Sequence, residues 1–230
     1  MMQRNLTLRF CLQTGIWLAI MAALLLGTAQ NWTWPQGWAF LTIFAIGSVW
    51  FGTWLLRRDP ALLAARLGSL NQKGQPWWDK LFLLLFIPAW LGWLGLMARD
   101  SQVWRYSQLP LWLNLAGGLL VILGFAGVMR VFLENSFAAP VVRVQTERAQ
   151  KLIDTGPYAL VRHPMYAGAL LYLVGTPLLL GSWLGLAAVP LILLGLAPRA
   201  VLEERMLKRD LPGYADYMAR VRYRLIPGIW

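Results

Sequence analysis

Residues 111–133 read LWLNLAGGLLVILGFAGVMRVFL, an apolar run in which Asn114 and Arg130 are the strongly polar members. A helix rises about 1.5 Å per residue and the hydrocarbon core of a bilayer is about 30 Å thick, so about 20 such residues cross a membrane. Backbone groups inside lipid have no water to bind and must be paired within the helix itself. The run therefore predicts a transmembrane helix and, with it, an all-α membrane fold.

Other apolar runs of similar length repeat this signal along the chain. Together they predict a polytopic integral membrane helical bundle of about six spans, the last two forming a C-terminal helical hairpin around Gly181-Ser182. Of the 230 residues, 58% are hydrophobic and 13% are charged, against about 45–50% and 25% in soluble domains. This composition excludes a soluble globular protein and a disordered chain. The other predicted spans are Phe10–Ala29, Trp38–Leu56, Leu81–Met97, a shorter one near Tyr166–Leu180, and Trp183–Leu202.

The net charge of +11 would suggest nucleic-acid binding in a soluble protein. In a membrane protein it reflects instead the excess of Lys and Arg in cytoplasmic loops, so no nucleic-acid partner is expected. With the N-terminus inside, all 21 Lys and Arg except Arg99 and Arg105 lie on the cytoplasmic side. We therefore expect a protein of a prokaryotic inner (cytoplasmic) membrane, with both termini and the active site in the cytoplasm. Arg4, Arg9 and the apolar run before Gln30 also imitate a secretory signal, but an uncleaved first span is the preferred interpretation.

The polar residues divide the chain into two regions. Residues 1–133 are predicted to form a scaffold of four transmembrane helices, with Pro60–Leu70 as an amphipathic helix on the cytoplasmic face. Residues 134–230 are predicted to carry the chemistry, in a cofactor loop, the hairpin and a cytoplasmic tail. A single cysteine and a single histidine, His163, give neither an intrachain disulfide nor a metal site of several histidines.

Each polar segment of this second region also has a purely structural interpretation. Gly156-Pro157 is a turn signal, and Pro164 suits the first turn of a helix. Tyr166 is suited to anchoring a helix at the membrane interface. Arg199 and Glu203 lie four residues apart on one helix face, where they can pair, although ionisable groups at the mouth of a membrane bundle are functional candidates by default.

Taken together, the segments are far more specific. The chain from Ser136 to Trp230 resembles the isoprenylcysteine carboxyl methyltransferase family, which is itself similar to the membrane phospholipid methyltransferases. Residues before about 130 match only as hydrophobic spans. The motifs that carry the resemblance are Thr155-Gly-Pro-Tyr158, Arg162-His-Pro-Met-Tyr166, Leu180-Gly-Ser-Trp183, Glu203-Glu204, Tyr214-Ala-Asp-Tyr217 and Tyr223-Arg-Leu-Ile-Pro-Gly228.

The resemblance implies an integral membrane methyltransferase that uses S-adenosylmethionine in a cytoplasmic pocket. By position, Arg199 falls on the residue that orients the acceptor substrate. The loop before Tyr158 is slightly shorter than in eukaryotic members, and Glu204 is an alternative to Glu203. The implied cofactor-binding residues are Gln145, Gln150, Lys151, Leu152, Ile153, Tyr158, His163, Pro164, Met165, Tyr166 and Glu203.

The residue types agree with this chemistry. An acid can hold the ammonium or ribose hydroxyls of the cofactor, and an aromatic face attracts a sulfonium. A carboxylate acceptor needs no base, and the planar fork of Arg199 suits its orientation, so carboxyl O-methylation is favoured. The resemblance implies that this carboxylate is of the isoprenylcysteine type. N-methylation of a phospholipid amine or S-methylation of a small thiol would need a base, with His163 or Glu204 as candidates. No metal is required. The acceptor is expected to be a lipid-like or small molecule that reaches the site among membrane lipids. A transporter or a non-catalytic membrane protein is the distant alternative. The oligomeric state is left open.

Overall fold

The computed structural model describes residues 2–230, with side chains from residue 4 onward, and over this range it contains helices and no strand. Residues Arg99–Trp104 continue α4 as a π-helical segment, and Thr146–Arg148 and Gly156–Ala159 are short 3-10 turns. The α-helices are α1 (Met2–Ala29), α2 (Pro35–Arg58), α3 (Pro60–Arg66), α4 (Trp77–Ala98), α5 (Leu111–Glu134), α6 (Pro164–Leu180), α7 (Trp183–Ala187), α8 (Val189–Asp210) and α9 (Tyr214–Arg220).

Five helical segments in the described residues are long and apolar enough to cross a membrane. α6 is a sixth apolar helix, but its 17 residues cover only about 25 Å. The predicted all-helical polytopic bundle is thus confirmed, and the chain is an integral membrane protein. The five long segments are Arg4–Ala29, Pro35–Arg58, Trp77–Trp104, Leu111–Glu134 and Trp183–Asp210.

The helices extend beyond the predicted apolar runs. α4 begins four residues before Leu81, and α8 continues eight residues beyond Leu202. The backbone hydrogen bonds of a helix continue where its side chains become polar, so the hydrophobic pattern ends before the helix does. The predicted amphipathic helix begins at Pro60 as expected but ends at Arg66, and the Asp59 carboxylate caps it by accepting a 2.9 Å hydrogen bond from the Leu62 amide.

The closest helix contact joins α5 to α6. Gly117 faces Gly175, and Gly124 faces Gly168, one pair two turns from the other. A Cβ atom at Gly117 would lie 2.3 Å from the Leu179 amide nitrogen, a distance that no side chain tolerates. Small residues let membrane helices approach this closely. The contact places the first turn of α6 beside the last turn of α5.

We call the end of the bundle where α2, α5 and α8 finish and α4 and α6 begin the polar end. At the opposite end, the predicted tight turn of the hairpin is present, with Gly181 in the left-handed region at φ 77°. The buried Asp100 carboxylate accepts hydrogen bonds of 2.6 Å from both Ser107 and Ser182 and so fastens this turn to the end of α4. This end of the bundle is therefore held together by a buried acid.

Candidate active site

A cavity opens at the polar end between the loop after α5, the first turn of α6, and α8 and α9. It contains most of the residues that the resemblance implies for cofactor binding. Its lining includes Asn135, Phe137, Ala138, Val141, Val142, Gln150, Lys151, Leu152, Ile153, Tyr158, His163, Pro164, Met165, Tyr166, Glu203, Met206, Leu207, Tyr214 and Tyr217.

The segment from Arg162 to Tyr166 is held in place by the C-terminal tail. The backbone amides of Arg162 and His163 donate hydrogen bonds of 2.9 and 2.8 Å to the carbonyls of Tyr223 and Arg224. Pro164 then begins α6, where its missing N–H leaves no helical bond unmade. The last motif of the chain therefore serves as the backbone partner of the most distinctive one.

Glu204 is the buried centre of an ionic cluster behind the cavity. Its carboxylate accepts from Arg162 Nε at 2.6 Å and from Arg224 Nε at 2.9 Å. His163 Nε2 lies 3.3 Å from the same carboxylate. Glu204 joins α8, the first turn of α6 and the tail, and it is absent from the cavity wall. The structure therefore gives the two neighbouring glutamates different surroundings.

Glu203 lies on the cavity wall and contacts a different set of groups. The Tyr166 hydroxyl donates a 2.9 Å hydrogen bond to Glu203 Oε2. The Tyr166 and His163 rings are stacked, with centroids 5.3 Å apart and an angle of 5° between the planes. A carboxylate, a hydroxyl and an imidazole thus face the same space.

Arg199 lies behind Tyr166, outside the lining of the cavity. Its guanidinium donates to the Tyr166 hydroxyl at 2.5 Å and to Asp79 Oδ1 at 2.8 Å. It also donates to the Pro140 carbonyl at 2.8 Å and lies 4.9 Å from the ring centre of Phe82. The spacing of Arg199 and Glu203 suggested that they pair with each other. Among the described residues, Arg199 instead forms its ion pair with Asp79.

The loop after α5 contributes its second half to the cavity. Gln145, expected to contact the cofactor, is instead buried, and its side-chain amide donates to the Phe137 carbonyl and accepts from Arg148, both at 2.8 Å. The Gln145 amide also donates to Gln150 Oε1 at 2.8 Å. These bonds fold the loop back on itself, so that the side chains of residues 150–153 meet the cavity while Gln145 supports them.

Tyr158 closes the cavity beside the end of α5. Its hydroxyl accepts a 2.7 Å hydrogen bond from Asn135 Nδ2, and its backbone carbonyl accepts one of 2.8 Å from the Tyr217 hydroxyl. Burial raises the pKa of Tyr158 to about 12, so the phenol is neutral at physiological pH. It can therefore donate a hydrogen bond to a ligand.

The structure thus brings ten of the eleven implied cofactor residues to one cavity and leaves Gln145 behind it. Asp79 is a site residue that the sequence interpretation missed, because it treated the first four helices as a scaffold. An acid at the mouth of a span is a functional candidate, and that signal was available directly after Trp77-Trp78. Tyr214 and Tyr217 belonged to a recognised motif, but only the fold places them on the wall.

A second cavity, of about 540 Å³, lies nearer the bundle interior and is lined mostly by apolar side chains from α1, α2, α5 and α6. Arg66 reaches it at the polar end, where its guanidinium lies 4.4 Å from the ring centre of Phe132. Arg66 Nη1 also donates a 2.8 Å hydrogen bond to the carbonyl of Ala138, which lines the first cavity. Burial lowers the pKa of Arg66 to about 10, a value at which the group stays cationic. The two cavities are therefore neighbours, separated by a wall that includes Phe132 and Ala138.

Fold and site together define a polytopic membrane protein whose polar pocket is built from loops and helix ends. Residues 112–212 match the family model for phospholipid methyltransferase. An 83-residue segment is 35% identical to a protein named probable protein-S-isoprenylcysteine O-methyltransferase in Oryza sativa subsp. indica and in subsp. japonica, covering 35% of this chain and 44% of theirs. A 111-residue segment is 29% identical to the nickel-cobalt-cadmium resistance protein NccN of Alcaligenes xylosoxydans xylosoxydans, covering 47% of this chain and 49% of that protein.

These matches span less than half the length of the curated relatives. The family-model match covers α6, α8, all but the first residue of α5, and most of the cavity lining, but not Tyr214 and Tyr217 of α9. Residues 112–212 are thus similar to the phospholipid methyltransferases, and the resemblance to the isoprenylcysteine methyltransferases that the motifs predicted is confirmed.

Proposed function

We propose that the protein transfers a methyl group from S-adenosylmethionine to a lipid-like acceptor at the polar end of the bundle. The reaction best supported is carboxyl O-methylation of an isoprenylcysteine-type carboxylate. The observation that carries this proposal is the convergence of residues 150–153, Tyr158, residues 163–166 and Glu203 on one cavity. The family match and the rice relatives support the same class of reaction.

The donor set of this cavity fits the cofactor. Glu203 would hold its ammonium or ribose hydroxyls, and Lys151 and His163 would hold its carboxylate. Aromatic rings such as Tyr214 attract a sulfonium cation, and the side chains of Leu152 and Ile153 provide apolar surface for the adenine. Bound there, the sulfonium supplies an electrophilic methyl group. The protein would contribute position and orientation, which can supply a large part of the barrier reduction.

The second cavity supports a lipid-like acceptor. Its apolar lining suits hydrocarbon, and Arg66 provides a cation at the boundary with the first cavity, suited to an acidic head group. A carboxylate is already ionised near neutral pH and needs no base. Arg199 lines neither cavity, so it would reach the acceptor from behind Tyr166, through the two N–H groups that its described contacts leave unused.

Methylation of a phospholipid amine is the second candidate, and the description of the matched family favours it. An amine must lose a proton. His163 lies on the cavity wall with Nε2 3.3 Å from the Glu204 carboxylate, an arrangement in which the imidazole can accept a proton and the acid can stabilise the resulting cation. A small thiol would require the same step.

We place the polar end in the cytoplasm of a prokaryotic cell, at the inner membrane. The support is the charge distribution, since all Lys and Arg except Arg99 and Arg105 belong to that side of the predicted topology. Labelling of single cysteines introduced at each end of the bundle in intact cells would test this orientation.

The cofactor proposal is tested by calorimetric titration of the purified protein with S-adenosylhomocysteine. We expect saturable binding that Glu203→Gln and His163→Ala each weaken about tenfold or more, since each removes a charged or aromatic partner. Asp216→Asn, an exposed acid on α9, is the matched control and should bind like the wild type. If the wild type binds no S-adenosylhomocysteine, both the O- and the N-methylation proposals fail.

The acceptor is tested with labelled S-adenosylmethionine and three probes: a prenylcysteine carboxylate, phosphatidylethanolamine and a small thiol. We expect label in the carboxylate. Arg199→Ala should raise the KM for that acceptor while the affinity for S-adenosylhomocysteine stays unchanged. Loss of cofactor affinity with normal turnover would show that Arg199 serves the cofactor instead.

A further inference from the structure

Asp79 is a buried acid of the first turn of α4 that reaches the site from the other half of the chain. Its side chain has no exposed surface, and Oδ1 accepts the 2.8 Å bond from Arg199 Nε across 120 positions of sequence. Oδ2 is occupied as well, by the Gln75 amide at 2.7 Å and the Val142 backbone amide at 2.9 Å. With both oxygens engaged, the carboxylate has a fixed position.

The position of Asp79 determines where the Arg199 guanidinium points. With Nε held by Asp79, the outer nitrogens face the Tyr166 hydroxyl and the Pro140 carbonyl. Tyr166 in turn donates to Glu203, so three hydrogen bonds connect Asp79 to the acid on the cavity wall. Arg199 itself touches no carboxylate of the cavity wall.

Arg199 has a competing partner within reach. Glu203 lies one helical turn farther along α8, at the i,i+4 spacing at which an arginine and a glutamate pair. Such a pair would neutralise the carboxylate that is needed for the cofactor. A buried guanidinium without a counter-ion is strongly unfavourable, so if Asp79 lost its charge, Arg199 would turn to the nearest acid.

We infer that Asp79 is a positioning residue that holds Arg199 away from Glu203 and thereby keeps the Glu203 carboxylate available to the cofactor. This inference rests on the proposed function, since it assumes that Glu203 binds S-adenosylmethionine. It makes α4 part of the site and gives Arg199 a resting partner that is independent of the acceptor.

The test is a double-mutant cycle read by calorimetric titration with S-adenosylhomocysteine, which needs no acceptor. Asp79→Asn should weaken binding about tenfold, the effect of diverting one charge-assisted hydrogen bond. Adding Arg199→Ala should restore the affinity to that of Arg199→Ala alone, because the competing cation is gone. Thermal unfolding of the same variants separates a purely structural role, in which Asp79→Asn would lower the unfolding temperature but leave the affinity of the folded protein unchanged.

Asp100→Asn is the matched control, since Asp100 is equally buried near the opposite end of the same helix, where it binds Ser107 and the α6–α7 turn. It should leave the affinity unchanged. If Asp79→Asn does not fold, Asp79→Glu takes its place in the cycle, because it keeps a counter-ion for Arg199 while its longer side chain moves the carboxylate. A loss of affinity is again expected, and the comparison of the double mutant with Arg199→Ala remains the second readout. Equal affinities support the inference, whereas a much weaker double mutant, or wild-type affinity in Asp79→Asn, overturns it. Absence of binding in the wild type would reject the proposed function instead.

Discussion

Replacing Glu204 by glutamine removes the carboxylate that neutralises Arg162 and Arg224 behind the cavity. The side chains of Arg162 and Glu204 are 6% and 3% exposed, and Arg224 is 27% exposed, so water compensates little of the lost charge. The amide would keep one acceptor, but its NH₂ group would face guanidinium donors. Two cations would then share a neutral partner in the space where the tail meets α6.

The expected cost follows from this geometry. Removing one partner of a buried ion pair costs about 3–5 kcal/mol because it leaves an uncompensated charge. Typical folding free energies are about 5–15 kcal/mol, so the change is large. The neighbouring Glu203→Gln should cost much less stability, since Glu203 is only partly buried and its described partner is the neutral hydroxyl of Tyr166.

The assay is thermal unfolding in detergent, paired with titration by S-adenosylhomocysteine. Glu204→Gln should lower the unfolding temperature strongly, whereas Glu203→Gln should mainly weaken ligand binding. Glu147→Gln is the control, because Glu147 is 53% exposed and its surface pair with Arg143 is worth at most about 1 kcal/mol. Equal unfolding temperatures for Glu204→Gln and Glu147→Gln would refute the assignment of Glu204 as a buried structural acid.

Two further predictions concern packing and pH. Gly117→Ala should separate α5 from α6 and cost about 1–3 kcal/mol of unfolding free energy. Gly195→Ala is the control and should be tolerated, because nothing lies within 4 Å of the added methyl group. Equal unfolding temperatures for the two variants would contradict the close contact between α5 and α6. Burial raises the pKa of Tyr158 to about 12, whereas an unfolded tyrosine ionises near pH 10. The contribution of the neutral phenol to the free energy of unfolding is therefore complete below about pH 10 and is lost as the pH rises towards 12. Ultraviolet absorbance of the phenolate follows tyrosine ionisation as the pH is raised. Tyr158→Phe should remove one phenol that ionises near pH 12. If the substitution instead removes a phenol that ionises near pH 10, the buried position is contradicted.

The helices and the motif residues were predictable because they depend on local patterns. Residues 111–133 predicted α5 to within one residue, since an apolar run of that length has few alternatives in a membrane. The ends of α4 and α8 were not predictable in this way, because their first or last turns are polar. Short motifs led to Tyr158, His163 and Glu203, but they could not say which of them share a cavity.

The different roles of Glu203 and Glu204 depend on tertiary structure. Adjacent positions on a helix point about 100° apart, so one acid faces the cavity and the other faces the tail. Nothing in the sequence states which is which, because the partners of Glu204 lie 42 positions before it and 20 after it. The same holds for Gln145, whose amide serves the loop rather than the cavity.

The sequence by itself determined that this chain is an all-helical membrane protein, and it predicted that the chemistry involves the motifs after residue 134. These properties follow from hydrophobic run length and from residue order, which are local. Only the tertiary structure decided that Asp79, from the first half of the chain, holds Arg199 and that Arg199 does not pair with Glu203. The physical reason is that a buried cation takes whichever acid the packing brings to it, and packing of α4 against the loop after α5 cannot be read from spacing along the chain.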